Sequence, residues 1–351
     1  MEYKSLGNSG LKISKVILGC MGYGTPEWEG WVLDEEASLP LLEYAYKSGI
    51  RTWDTADAYA SSHFSPTNHP RCASHGRSEE IIGKAIKKYQ IPRERLVILT
   101  KCFFGVTPHK MANTWVYNND GEELNQVGLS RKHIIDAVDK SVARLGTYID
   151  VLQIHRLDQT VPREEIMRAL NDVVESGKVR YIGASSMAAW EFQGLQNVAE
   201  KHGWHKFISM QNYHNLLYRE EENEMIPYCN HTGVGVIPWS SVARGALTRP
   251  WDDRSSSREQ TDGGLKHMVR SADDKADREV VGRVEEVAKK LKKSMAQVAI
   301  AWSLSKGVNP IVGMNKMERM DEALEASKMK LSEKDIKFLE EPYLPKKRQG
   351  Y

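Results

Sequence analysis

The chain has 351 residues, 40% of them hydrophobic and 27% charged, and 49 Lys and Arg against 47 Asp and Glu leave a formal charge of +2. So slight a charge gives no field for nucleic acid or an anionic membrane surface, and no apolar run approaches the ~20 residues of a membrane helix. An N-terminus without the apolar stretch of a signal peptide, and four scattered cysteines (Cys20, Cys72, Cys102, Cys229) that form no CxxC pair, point to a cytoplasmic globular protein with reduced thiols.

In chain order, residues 4–6 and 11–13 flank Gly7-Asn8-Ser9-Gly10, a hairpin signature expected to close the bottom of the fold within 1–15. Eight units follow, each a short apolar, β-branched run and then an amphipathic helix. The runs are predicted at 16–19, 52–54, 96–100, 150–154, 179–182, 207–210, 234–237 and 308–312. The helices are predicted at about 34–48, 78–89, 131–145, 163–176, 188–202, 220–230, 277–305 and 316–327. Several stop at glycine turns such as Ser48-Gly49 and Ser176-Gly177, as helix C-termini commonly do.

Eight consecutive strand–helix units with continuously apolar strands argue for an α/β fold, a parallel sheet closed into a (β/α)8 TIM barrel, as one domain over 1–351. A doubly wound open sheet would place GxGxxG after its first strand, and Gly19-Cys20-Met21-Gly22-Tyr23-Gly24 has the wrong spacing. Three connections are long: 20–33, 102–128 and 243–276. All follow strands, on the face where a barrel builds its active site. The Ser, Arg, Asp and Gly content of 252–274 suggests a mobile stretch.

Polar residues at the C-terminal ends of barrel strands face the catalytic mouth. That filter selects Asp54 and Tyr59 after the second strand, Lys101 after the third and His155-Arg156 after the fourth. Ser185-Ser186, Gln211-Asn212, Trp239-Ser240-Ser241 and Gly313-Met314-Asn315 end the later strands. A phenol at its ordinary pKa of about 10 is a weak acid at neutral pH. A buried ammonium beside it favours the phenolate and lowers that value. The ammonium needs a carboxylate to stay charged when desolvated, a role for Asp54. Neutral imidazole at His155 can orient a carbonyl oxygen that receives the proton. These groups suit reduction of a C=O, and since no side chain supplies hydride, a nicotinamide cofactor would have to. Singly, each residue is ordinarily a surface, salt-bridge or packing group, and spacing alone leaves the reaction open.

These segments resemble the aldo-keto reductase superfamily. Asp54-Thr55-Ala56-Asp57-Ala58-Tyr59 is similar to its Asp-Thr-Ala-x-x-Tyr motif, Leu99-Thr100-Lys101 to its lysine strand, and Leu152-Gln153-Ile154-His155-Arg156 to its histidine strand. Gly183-Ala184-Ser185-Ser186, Gln211-Asn212 and Pro238-Trp239-Ser240 fall at the expected later strands, so that the resemblance runs from about Leu6 to Leu339. It implies Tyr59 as proton donor, tuned by Lys101 and Asp54, with His155 orienting the substrate carbonyl. It implies NADPH as cofactor. Ser185, Ser186 and Gln211 would hold the nicotinamide carboxamide, Trp239 would stack on the ring, and Cys20 and Met21 would lie beside it. Ser240, Val242, Ala243 and Gly245 would follow the pyrophosphate. Gly313, Asn315, Arg319 and Glu322 would hold the adenosine end, with Arg319 and Lys316 on a 2′-phosphate, which a guanidinium suits.

The chain departs from the family pattern in three places. Ala323 stands where Asn is frequent, Ser241 where a related subgroup has Pro, and 60–75 is an insertion after Tyr59. The insertion holds His63, His69, Cys72 and His75, whose spacing matches no zinc pattern. The expectation is therefore solvent-exposed loop residues and no metal, with the segment lining the substrate pocket. Within the superfamily the chain resembles fungal reductases, including those acting on aromatic polyketide intermediates such as versiconal hemiacetal acetate. It also resembles the β subunits of voltage-gated potassium channels, notably at 128–135. The alternatives are thus a reductase of a small-molecule carbonyl, possible among them a reductive deoxygenation of a polyhydroxylated aromatic, or a regulatory subunit sensing NADPH. His155 stands where the channel subunits typically carry Asn, which favours the enzyme.

Overall fold

A computed structural model describes residues 1–59, 76–106, 119–270 and 275–350. Strands β1 (Tyr3–Ser5) and β2 (Lys12–Ser14) pair antiparallel, with Tyr3 opposite Ser14. The hairpin buries Leu6 and Ile13 against Ile17, Leu99, Val151, Ile237 and Ile311, which face the barrel axis from five strand segments. Its apolar residues therefore pack into the floor of the fold. Its turn fits because Gly7 and Gly235 lack side chains: a Cβ on Gly7 would run into the Gly233 carbonyl, and Asn8 N–H donates to that same oxygen at 2.7 Å.

Eight strands follow: β3 (Ile17–Gly19), β4 (Thr52–Asp54), β5 (Val97–Cys102), β6 (Ile149–Ile154), β7 (Val179–Ser185), β8 (Phe207–Gln211), β9 (Gly235–Val236) and β10 (Ile311–Gly313). They pair parallel in the order β10-β3-β4-β5-β6-β7-β8-β9. Asn309 N–H donates to the Val236 carbonyl and Ile311 N–H to the Pro238 carbonyl, each at 2.9 Å, and these two bonds close the ring. The fold is a (β/α)8 barrel. Strands such as β6, buried at every position, read as continuous apolar runs because the helices cover one face and the barrel interior the other.

The covering helices are α1 (Glu35–Lys47), α2 (Arg77–Lys88), α3 (Arg131–Leu145), α4 (Arg163–Glu175), α5 (Ala189–His202) and α6 (Met225–Thr232). Further on come α7 (Ser257–Thr261), α8 (Gly263–Met268), α9 (Lys275–Leu291), α10 (Met295–Ser305), α11 (Met317–Ala326) and α12 (Glu333–Glu340). Local chemistry sets their ends. Asp34 accepts from Ala37 N–H and Ser130 from His133 N–H at the starts of α1 and α3, and Gly49 and Gly177 turn left-handed just past α1 and α4.

Four stretches differ from expectation. The helical region at 277–305 is divided into two helices, α9 and α10. Lys292 turns left-handed (φ 54°) and Ser294 starts a new capping box with Gln297, while the apolar period runs on across the break. The helix at 220–230 is a 3-10 turn, Glu220–Glu222, followed by α6. Helix α12 was not anticipated, although Ser332 accepting from Asp335 N–H is a recognisable start signal.

The 252–270 segment is a folded layer, contrary to its loop-like composition. Arg270 and Arg254 lie 4.1 and 5.4 Å from the Trp251 ring and both pair with Glu259, while Arg244 and Arg258 pair with Asp262. Its charges are internal ties. The insertion at 60–75, with His63, His69, Cys72 and His75, lies outside the described residues, as does part of the 102–128 connection.

Candidate active site

The ends of β4, β5 and β6 set three side chains side by side, because the parallel register pairs Asp54 with Leu99 and Lys101 with Gln153. Lys101 is fully buried, and its ammonium donates to Asp54 Oδ2 at 2.7 Å, Thr55 O at 2.8 Å and the Tyr59 hydroxyl at 3.0 Å. An ammonium has three N–H bonds and no lone pair, so these contacts saturate it. The third contact makes the Tyr59 oxygen an acceptor, so the phenol's own proton is directed away from Lys101. Tyr59 is 7% exposed and lines the cavity described below.

Burial pushes the Tyr59 phenol up, and although Lys101 pulls it back, the net direction is upward. This reverses the sign expected from the ammonium alone: desolvation outweighs it, so the phenol holds its proton at neutral pH. Lys101 is held above the ordinary lysine range: burial, the largest influence, favours the neutral amine, but the Asp54 carboxylate and Tyr59 together overcome it. His155 lies well below the ordinary histidine value, through burial first and then the Arg156 and Lys101 cations, and is therefore neutral. Its ring meets Tyr59 edge-on at 5.7 Å and Phe104 at 4.9 Å.

Behind these groups lies a second buried layer. Asp54 Oδ1 accepts from Gln211 Nε2 at 2.9 Å and from Gln153 Nε2 at 3.2 Å, and Gln211 Nε2 also donates to Gln153 Oε1 at 3.0 Å. Ser185 Oγ donates to the Gln211 main-chain oxygen, and Ser186 Oγ accepts from Trp239 Nε1 at 3.1 Å. Trp239 stacks on Tyr213 with ring centroids 4.6 Å apart. Ser186, Ser240, Ala243 and Arg244 all have φ near +50°, a conformation that costs non-glycine residues energy and concentrates at functional sites.

A cavity of ≈ 1350 Å³ runs from Tyr59 and His155 past Trp239 and the 240–245 turn to the start of α11. Of the residues the sequence suggested for a cofactor, Met21, Ser185, Gln211, Trp239, Ser240, Val242, Gly245, Gly313, Asn315, Arg319 and Glu322 line it. The other four stand off its wall. Ser186 sits behind Ser185 and Trp239; Cys20 and Ala243 are fully buried; Lys316 is exposed at the start of α11.

The structure adds residues that the sequence did not single out for the site. Arg258 lies 3.7 Å over the Trp31 ring, and Ser257 Oγ donates to Gly30 O at 3.1 Å, so the segments after β3 and β9 meet across the cavity as a roof. Burial and the neighbouring Arg244 bring the Arg258 guanidinium down to about 10. Its Ser/Arg-rich setting hid it, because composition carries no sign of a tryptophan more than two hundred residues earlier. Gln153 was visible as a polar residue within an apolar strand, but passed as part of the run.

A family model described as the Aldo/keto reductase family matches residues 15–343. The chain belongs to the aldo/keto reductase family. It is similar to versiconal hemiacetal acetate reductase of Aspergillus parasiticus, at 64% identity over 352 residues, covering 99% of this chain and 98% of the relative. A Schizosaccharomyces pombe protein provisionally named as an aryl-alcohol dehydrogenase is 58% identical over 358 residues, covering 99% and 97% of the two chains. An Alternaria alternata aldo-keto reductase is 46% identical over 359 residues, covering 99% and 93%. This aldo/keto reductase is an oxidoreductase. Among the described residues, no helix is long and apolar enough to cross a membrane.

Proposed function

We propose that this aldo/keto reductase reduces an aldehyde or ketone with NADPH, and that Tyr59 delivers the proton. The observation that carries the reading is the saturated Lys101 ammonium, which leaves a buried, protonated phenol with its O–H directed away from Lys101 in a cavity that also presents neutral His155. His155 orients the carbonyl oxygen, Tyr59 donates its proton to that oxygen, and Lys101 stabilises the phenolate left behind. The cavity fits a dinucleotide: a stacking indole, a carboxamide-sized amide and hydroxyl set, and cations at its far end follow one another along its length.

A bound reduced nicotinamide supplies the hydride. Ser185 and Gln211 are suited to hold the carboxamide, Trp239 to pack on the ring, and the 240–245 turn to follow the pyrophosphate. Arg319 favours NADPH over NADH, because a guanidinium fork matches a 2′-phosphate. The aromatic walls given by Phe104, Trp28 and Tyr59 suit a planar aromatic carbonyl, in keeping with the aryl-alcohol name of the Schizosaccharomyces relative.

The test is to follow NADPH absorbance with purified protein and a simple aromatic aldehyde. Steady oxidation to the alcohol is expected, and no turnover with either NADPH or NADH across aldehydes and ketones would overturn the reading. The pH profile of kcat/KM is a further check. His155 is depressed, so the neutral form persists as pH falls below the ordinary histidine range. Tyr59 and Lys101 are raised, so the proton and the ammonium persist above about 10. The profile should be flat from about pH 6.5 to about pH 10. An acid limb centred near 6.5 would show instead that His155 titrates as an exposed histidine.

A further inference from the structure

We infer that Gln153 is a positioning residue that locks the Gln211 amide in one orientation and so sets which cofactor headgroup the site accepts. The inference rests on the cofactor reading above. A glutamine amide presents an oxygen on one side and an NH2 on the other, and the two orientations have nearly the same shape. Here only one satisfies every partner.

Asp54 is a carboxylate whose Oδ2 is taken by Lys101, and its Oδ1 accepts from both Gln211 Nε2 and Gln153 Nε2. Since Oδ1 can only accept, both amides must turn their nitrogens toward it. Gln153 then has its oxygen facing Gln211, where it takes the second N–H of the Gln211 amide at 3.0 Å. The Gln211 nitrogen is thereby fully used. Its Oε1 accepts no hydrogen bond from the described residues, and Gln211 lines the cavity beside Ser185. All three groups are within 3% of complete burial, so no solvent competes for the orientation.

The site therefore offers a bare acceptor, which selects a headgroup carrying an N–H donor, as a carboxamide does. Removing the Gln153 oxygen leaves one Gln211 N–H without an acceptor and the amide anchored at Asp54 alone, so that it can swing about that single bond and its Oε1 is no longer held at one place in the site.

Dissociation constants read the effect directly, through quenching of tryptophan fluorescence by NADPH and by its reduced 3-acetylpyridine analogue. The acetyl group keeps the carbonyl and replaces the amide NH2 by a methyl. The natural protein should bind NADPH about tenfold more tightly than the analogue, the worth of one well-placed hydrogen bond. In Gln153→Leu and Gln153→Met, whose shapes differ, the preference should shrink to about twofold or less. A merely structural role for Gln153 would weaken both dinucleotides equally and leave their ratio intact, and that result overturns the inference. So does an unmodified protein that binds the analogue as tightly as NADPH, a measurement that needs no variant. If the natural protein binds neither dinucleotide, the cofactor reading itself fails.

Discussion

Tyr59→Phe should lower kcat by about 10²- to 10⁴-fold, the range contributed by a positioned acid, while NADPH affinity stays within about twofold. The substitution removes one oxygen from a ring that is otherwise held by packing against His155 and by the Lys101 ammonium 4.7 Å from its centroid. Lys101 keeps Asp54 and the Thr55 carbonyl as partners, so the pocket should persist with one donor released. Initial rates, combined with fluorescence titration of NADPH, separate the two quantities. Undiminished turnover in Tyr59→Phe would remove the tyrosine from the chemistry.

Lys101→Met should cost both stability and rate. The change leaves Asp54, 3% exposed, without its counter-ion, and breaking a buried pair from one side typically costs about 3–5 kcal/mol. Asp54 keeps two amide donors, which places the expectation toward the lower end of that range. Urea midpoints at unchanged m-value measure the loss. Combining Lys101→Met with Asp54→Asn should restore much of the stability, because no charge is then stranded, and should restore none of the turnover. A loss below about 1 kcal/mol in Lys101→Met would mean that the pair behaves as a surface contact.

The grouping of Asp54, Lys101 and His155 was legible because each stands at or beside a strand end, and eight strand–helix units allow few arrangements of strand ends. Tyr59, in the turn past β4, was singled out by the resemblance of Asp54–Tyr59 to a family motif. The balance of burial against Lys101 at the phenol was not legible, because desolvation depends on what surrounds a group in three dimensions. The roof escaped for a related reason: Arg258 is a surface-type residue in a polar run until Trp31 meets it. The division of α9 from α10 was masked by an apolar period that continues in phase across Lys292. In the 252–270 layer, arginines that looked solvated turn out to be consumed in pairs around Trp251 and Asp262.

The closure of the ring has a consequence for cohesion. Strand β9 is two residues long, and the seam to β10 is held by two main-chain bonds, one accepted by Pro238, which has no N–H to return. The ladders between β5, β6 and β7 are longer, while β3–β4 and β8–β9 pair over two positions each. The amides of Asn309 and Ile311 are therefore where hydrogen exchange should first report opening of the barrel. The cavity straddles that seam, with Trp239 to Gly245 on one bank and Gly313 to Arg319 on the other. A dinucleotide lying between the banks would act as a staple, adding cohesion where the protein's own backbone supplies little.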